Sequence, residues 1–174
     1  RVVLTLSSIQ LGTNMRCSLV IDGNNVFHSA KEHGITIDYV ALRNILIEGE
    51  LVSAVFVTGT DSKADTNQNK FLTWMKHNGF RVRTKEIEHD DSGSRQINVE
   101  PIIITELCLA AQNCDCIVFV GGNRDHHYPL ARIVESGKRV VVAGFSNSVS
   151  NLLKETADEF VDLTRSIDNI TKKD

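Results

Sequence analysis

Short apolar runs alternate along the chain with segments in which apolar residues recur every three or four positions. The runs are rich in β-branched residues, and most are closed by glycine or by an acid, as strands commonly are. They predict six strands, at residues 17–22, 52–58, 81–87, 116–120, 139–143 and 160–163. The periodic segments predict helices between them, at residues 24–33, 39–46, 65–77, 101–111, 126–135 and 148–156.

This alternation fixes the fold class as α/β. Apolar strands separated by helices indicate βαβ units, and such units build a parallel sheet that is covered on both faces. The length of 174 residues, with 41% hydrophobic and 24% charged residues, is ordinary for one globular domain. We place that domain at residues 15–165, with an extension at 1–14 and a polar tail at 166–174 that is expected to fray.

Composition narrows the possible partners. The formal charge of −3 argues against a protein held to nucleic acid by bulk electrostatics, although a local basic rim is compatible with it. No apolar run approaches the length of a membrane helix, so no membrane partner is expected. The four cysteines include a single Cys-x-Cys pair, which favours buried reduced thiols and a cytoplasmic protein over a zinc site.

Polar residues follow the predicted strands at the edge where parallel sheets bind ligands. Asp22 ends the first strand, Thr58 ends the second, and Asp125 follows the fourth. If the first and fourth strands are neighbours, Asp22 and Asp125 face each other and favour a divalent cation such as Mg²⁺. The alternative is that each aspartate caps the helix after it. Glu100 and Glu106, on the helix that starts near Pro101, are a third source of acid or simply exposed.

Basic residues supply a second candidate feature. Arg81, Arg83 and Lys85 alternate along the third strand and therefore share one face. Such a face, with Arg124 near it, suits RNA phosphates, or else it is a solvated edge strand protected by charge. The exposed third strand and the loop after it also leave room for a homo-oligomer or a protein partner.

Three segments in order resemble one family. They are VIDGNNVFHSAKEHGITIDYVALRNIL, FLTWMKHNGFRVRTKEI and GKRVVVAGFSNSVSNLLKETADEFVDL. The chain from Cys17 to Leu163 resembles NYN-domain proteins of the PIN-like nuclease superfamily, particularly the LabA-like branch. The resemblance implies a PIN-like or Rossmann-like three-layer α/β/α sandwich around a mostly parallel sheet of five to six strands. It also implies a metal-dependent endoribonuclease that uses Mg²⁺ or Mn²⁺.

The resemblance assigns roles to particular residues. Asp22 is its first metal-site acid, Asn25 holds the loop after Asp22 or touches a phosphate, and Asp125 is the acid after the fourth strand. A gapped match makes Glu106 the middle acid, whereas an ungapped match places Ile104 there. The remaining metal-site and supporting residues are Asn123, Glu100, Thr58 and His126.

One departure opens an alternative function. Asn123 stands where the family has an aspartate, which keeps a carbonyl oxygen but removes one negative charge. His126 could offset that loss, because imidazole suits Mn²⁺, or else it is an exposed residue at a helix start. The chain is thus either a metal-dependent ribonuclease or a degenerate NYN domain that binds RNA or a protein partner without cleavage.

Overall fold

The computed structural model describes residues 15–61, 66–89 and 95–173. The predicted extension at 1–14 and most of the loop after the third strand lie outside this part of the chain. The strands within it are β1 (Arg16–Asp22), β2 (Glu50–Thr60), β3 (Arg81–Glu86), β4 (Glu88–His89), β5 (Arg95–Gln96), β6 (Cys116–Val120), β7 (Arg139–Gly144) and β8 (Glu159–Asp162).

Six of these strands form one parallel sheet in the order β3-β2-β1-β6-β7-β8. β4 and β5 pair separately in an antiparallel ribbon. The order runs outward in both directions from the β1–β6 pair, so the chain reverses its direction of winding between these two strands. Polar groups at the carboxyl ends of β1 and β6 therefore meet at the switch point, where parallel sheets bind ligands.

Helices cover both faces of the sheet. The helices of the described residues are α1 (Gly23–Glu32), α2 (Tyr39–Leu46), α3 (Thr66–His77), α4 (Glu100–Ala111), α5 (His127–Glu135), α6 (Asn151–Thr156) and α7 (Ile167–Ile170). Two short 3₁₀ turns, Arg124–His126 and Leu163–Ser166, precede α5 and α7.

The alternation of β1 explains the three layers. Leu19 and Ile21 point into the core formed with α1, α2, α3 and α7, whereas Val20 points into the core formed with α4, α5 and α6. All three side chains are fully buried. Burying both faces of the central strands removes much apolar area from water, which is the main favourable term in folding. The predicted three-layer α/β/α sandwich is confirmed.

Two smaller expectations are wrong. The tail does not fray: Ile170 is fully buried, its carbonyl accepts from the Asp38 N–H at 2.8 Å, and Thr171 bridges to Ile37. Isoleucine in the tail supplies the apolar anchor that its polar composition conceals. Of the four thiols, those in and beside β1 and β6 are buried as expected, but Cys108 on α4 is exposed.

Candidate functional site

The carboxyl ends of β1 and β6 lie side by side, since Ile21 pairs with Val120 in the sheet register. The chain leaves β6 through Gly121 and Gly122. A Cβ atom at Gly122 would lie 2.0 Å from the Ser148 carbonyl oxygen, so only glycine fits there. This close approach brings the loop after β6 against the segment that precedes α6, and the same Cβ position lies 3.2 Å from Asn25 Nδ2 in the first turn of α1.

Asp22 is the buried acid of this region. It precedes α1, and its Oδ1 accepts a hydrogen bond from the Asn25 N–H at 3.0 Å. Burial raises the pKa of the Asp22 carboxyl, and the negative charge of Glu100 raises it further. The N–H of Asn25 and the charge of His126 act in the opposite direction. Asp22 therefore caps a helix, and it also interacts electrostatically with a second carboxylate.

That second carboxylate is Glu100, at the first turn of α4. Its Oε1 accepts from the Asn123 amide at 2.8 Å, and its Oε2 contacts Nε2 of His126. His126 is fully buried and packs edge-on against the Phe119 ring at 4.8 Å. The imidazole holds the pKa of the Glu100 carboxyl below its ordinary value, against an opposing effect of burial. Of the two interpretations of His126, the one that makes it an exposed residue at a helix start is therefore wrong.

Asn24 is a residue that the sequence interpretation missed. Its Oδ1 accepts from Thr58 Oγ1 at 2.9 Å and from the Gly59 N–H at 3.1 Å, which ties the loop after β1 to the end of β2. The predicted supporting residue Thr58 is thus part of the frame that positions Asp22. The signal was the Asn24-Asn25 pair, of which only Asn25 was assigned a role.

The structure does not bring Glu106 to this group. Glu106 lies about six residues along α4 from Glu100, and an α-helix turns by about 240° over six residues, so the two side chains project in different directions. Glu106 instead accepts from Arg83 Nε on β3 at 2.6 Å. Its role as a metal ligand stays a prediction.

Asp125 lies in the 3₁₀ turn that precedes α5. Its carboxylate is exposed and lines a cavity between α4 and α5, while its N–H donates to Asn123 Oδ1 at 3.1 Å. Asn123, rather than Asp125, thus caps the short turn that carries His126. No contact among the described residues tests the expected pairing of Asp22 with Asp125 across the crevice, which stays a prediction.

The predicted RNA-binding residues are distributed over two places. β3 is an edge strand, with Arg81 exposed, Arg83 paired with Glu106, and Lys85 half-buried. Arg124 is exposed in the turn before α5. Both earlier interpretations of the basic strand, an RNA contact or a charged protective edge, agree with this arrangement.

The donor set can be compared with what a divalent cation requires. Among the described residues, no group of three or more His, Cys, Asp and Glu is arranged to hold a metal ion. Mg²⁺, however, is commonly bound through one or two carboxylates and several waters. The carboxylates of Asp22 and Glu100, whose charges interact, are two donors of the type that this smaller requirement names.

Comparison with known proteins identifies the class. The profile of the NYN domain matches residues 16–164, and the chain belongs to this family, in the PIN-like nuclease superfamily. The low amplitude and bright protein LabA of Synechococcus elongatus is 27% identical over 157 residues, which cover 85% of this chain and 83% of LabA. This relative supports the LabA-like branch.

A solved structure supports the fold. A protein of unknown function from Vibrio parahaemolyticus superimposes with a TM-score of 0.80 at 23% identity, over 94% of this chain and all of that one. At this identity the likeness extends to the fold and no further. Within the described residues, no helix has the length and apolarity needed to cross a membrane.

Proposed function

We propose that this NYN domain hydrolyses RNA phosphodiesters at the carboxyl ends of β1 and β6, with Mg²⁺ or Mn²⁺ held by Asp22 and Glu100. The observation that carries the proposal is that Asp22 ends β1 at the switch point of the sheet, while Glu100 is tied to Asn123 and His126 after the neighbouring strand β6. The charge of Glu100 also raises the pKa of Asp22, and a divalent cation would relieve that repulsion.

The residues of the chain would hold the reacting groups in place. A bound divalent cation supplies charge stabilisation and a more acidic water. Asn123 orients Glu100 through its amide, and the Asn24–Thr58 hydrogen bond fixes the loop that carries Asp22. Arg124, exposed beside this group, is positioned to attract an RNA phosphate. We retain the cytoplasm as the predicted location.

A second candidate function is RNA binding without cleavage. It is favoured by the fact that both oxygens of Glu100 already have partners, Asn123 and His126. A carboxylate engaged in this way would have to exchange a partner before it could bind a cation. The replacement of the family's aspartate by Asn123 also favours binding without cleavage.

One experiment distinguishes the two functions. Labelled single-stranded RNA is incubated with the protein in Mg²⁺ and then in Mn²⁺, and cleavage and binding are both measured. Hydrolysis that is lost in Asp22→Asn and Glu100→Gln supports the ribonuclease. Binding without any cleavage supports the second candidate.

The choice of the second acid has its own comparison. Glu106→Gln is the matched variant, because it makes the same chemical change on the same helix at a residue that projects in a different direction. Glu100→Gln is expected to abolish hydrolysis, and Glu106→Gln is expected to keep it. The reverse outcome would restore the gapped assignment, and loss in Asp125→Asn would restore Asp125 to the site.

A further inference from the structure

α4 presents an uncharged surface to solvent. Its two charged residues, Glu100 and Glu106, are engaged by His126 and Asn123 and by Arg83. Leu109 is 51% exposed. The other exposed or half-buried uncharged positions of α4 are Pro101, Ile102, Ile104, Thr105, Cys108 and Ala111. A helix that is apolar on both its outer and its inner side is usually covered by protein on both sides.

An open cavity continues this surface toward α5. It has a volume of about 600 Å³, and its apolar walls include Ile104, Cys108, Pro129 and Ile133. The Tyr128 ring stands on its rim and is 71% exposed. Apolar surfaces of this kind with polar rims mark sites of association. The same face thus carries a cavity and also protruding apolar side chains of the kind that could fill such a cavity.

The charges on the rim of this cavity indicate what covers it. Asp125 and Arg132 both line it, Asp125 in the 3₁₀ turn before α5 and Arg132 in the second turn of α5. Their spacing of seven residues corresponds to about 10–12 Å along the helical segment. A two-fold axis across α5 reverses the helix direction in the second copy. It would therefore place Asp125 of each copy opposite Arg132 of the other.

We propose that the α4–α5 face binds a second copy of this chain in a two-fold dimer with two Asp125–Arg132 pairs. Arg132 contacts Glu135 on its own helix, but both side chains are more than half exposed. Such exposed pairs contribute little stability, so Arg132 can exchange this partner at low cost. The dimer does not depend on RNA hydrolysis, and its test measures mass rather than activity.

The test is sedimentation velocity of the full chain over a range of micromolar concentrations. Wild type is expected to sediment as a dimer. D125R alone and R132D alone are expected to be monomeric, because each homodimer would contain two like-charged pairs. An equimolar mixture of D125R and R132D is expected to regain the dimer mass, because both contacts are then of opposite charge.

Two further variants complete the test. L109E places a charge on the apolar face and is expected to be monomeric. K31D reverses an exposed charge on α1, away from this face, and is expected to remain dimeric. Wild type that stays monomeric throughout, or a mixture that stays monomeric while wild type dimerises, would overturn the proposal. RNA or another protein as the occupant would give that first result.

Discussion

His126, fully buried beneath the end of β6, contacts the carboxylate of Glu100 at the first turn of α4. The contact joins the start of α4 to the 3₁₀ turn before α5, 26 residues further along the chain. It lowers the pKa of Glu100, the carboxyl whose charge acts on Asp22. The imidazole is buried, whereas the carboxylate is partly exposed. Replacing His126 therefore tests the free energy of unfolding, and replacing Glu100 tests its dependence on pH.

We expect His126→Phe to lower the free energy of unfolding by about 1–3 kcal/mol, the usual range for a lost hydrogen bond to a charged group. Phenylalanine keeps the ring packing against Phe119, so the loss isolates the polar contact. Thermal and urea unfolding measure it. A wild-type value in His126→Phe would show that the contact contributes nothing.

The pH dependence follows from the lowered pKa of Glu100. A carboxyl whose folded pKa is depressed contributes stability above its unfolded pKa, and the contribution disappears as the pH falls through the folded pKa. Wild type should therefore lose stability below about pH 4, the ordinary range of glutamate. Glu100→Gln should show a flatter profile there, and an unchanged profile would contradict the assignment.

Asp22→Asn is expected to stabilise the protein while removing its activity. Burial raises the pKa of Asp22, so its ionised form is unfavourable in the fold at neutral pH. Asparagine caps a helix as well as aspartate does. The free energy of unfolding should rise by roughly 1 kcal/mol at pH 7. This gain in stability should disappear below about pH 4, where the aspartate of wild type is protonated in both the folded and the unfolded state.

Added Mg²⁺ or Mn²⁺ supplies the control for that prediction. A cation that binds the folded state raises its stability by mass action. Wild type should therefore gain melting temperature with the metal, and Asp22→Asn should not. Equal gains in both proteins would place the cation away from Asp22.

The strands and their ends could be predicted from the sequence because their signals are local. β-branched runs closed by glycine identify β1 and β6, and the position of Asp22 follows directly from the first run. The choice between Glu100 and Glu106 is not local. It depends on which side of α4 faces the switch point, and that helix is apolar around most of its circumference, so its periodicity does not reveal its orientation.

His126 and Phe27 show a related limit. A continuous helix from residue 126 would leave His126 at an exposed start, but a 3₁₀ turn comes first and rotates the imidazole into the core. On α1, the aromatic Phe27 is 61% exposed, whereas its neighbour Val26 takes the inward position. In both places the outcome depends on a shift of one helix position, which aromatic or apolar character alone does not resolve.

Asn24→Ala tests the frame around the site. The substitution leaves Thr58 Oγ1 and the Gly59 N–H without their shared acceptor, and Thr58 is buried. We expect a loss of about 1–3 kcal/mol in the free energy of unfolding. Asn24→Asp retains the acceptor oxygen and should keep most of it. Equal losses in the two variants, measured in urea, would exclude a role for this acceptor.

Phe27→Ala tests whether an exposed aromatic on α1, the helix that Asp22 caps, binds single-stranded RNA. An exposed ring can stack on an unpaired base, a contact worth about 1–3 kcal/mol in other proteins. We expect RNA affinity, measured by fluorescence anisotropy, to fall by roughly 10-fold. The free energy of unfolding should change by less than about 0.5 kcal/mol, since little apolar area is lost from the core.

Trp74→Ala on α3, also an exposed aromatic, is the matched control and should keep wild-type affinity. Equal affinities for wild type and Phe27→Ala would show that the ring does not contact RNA, whereas absence of binding by wild type would contradict the proposed function itself.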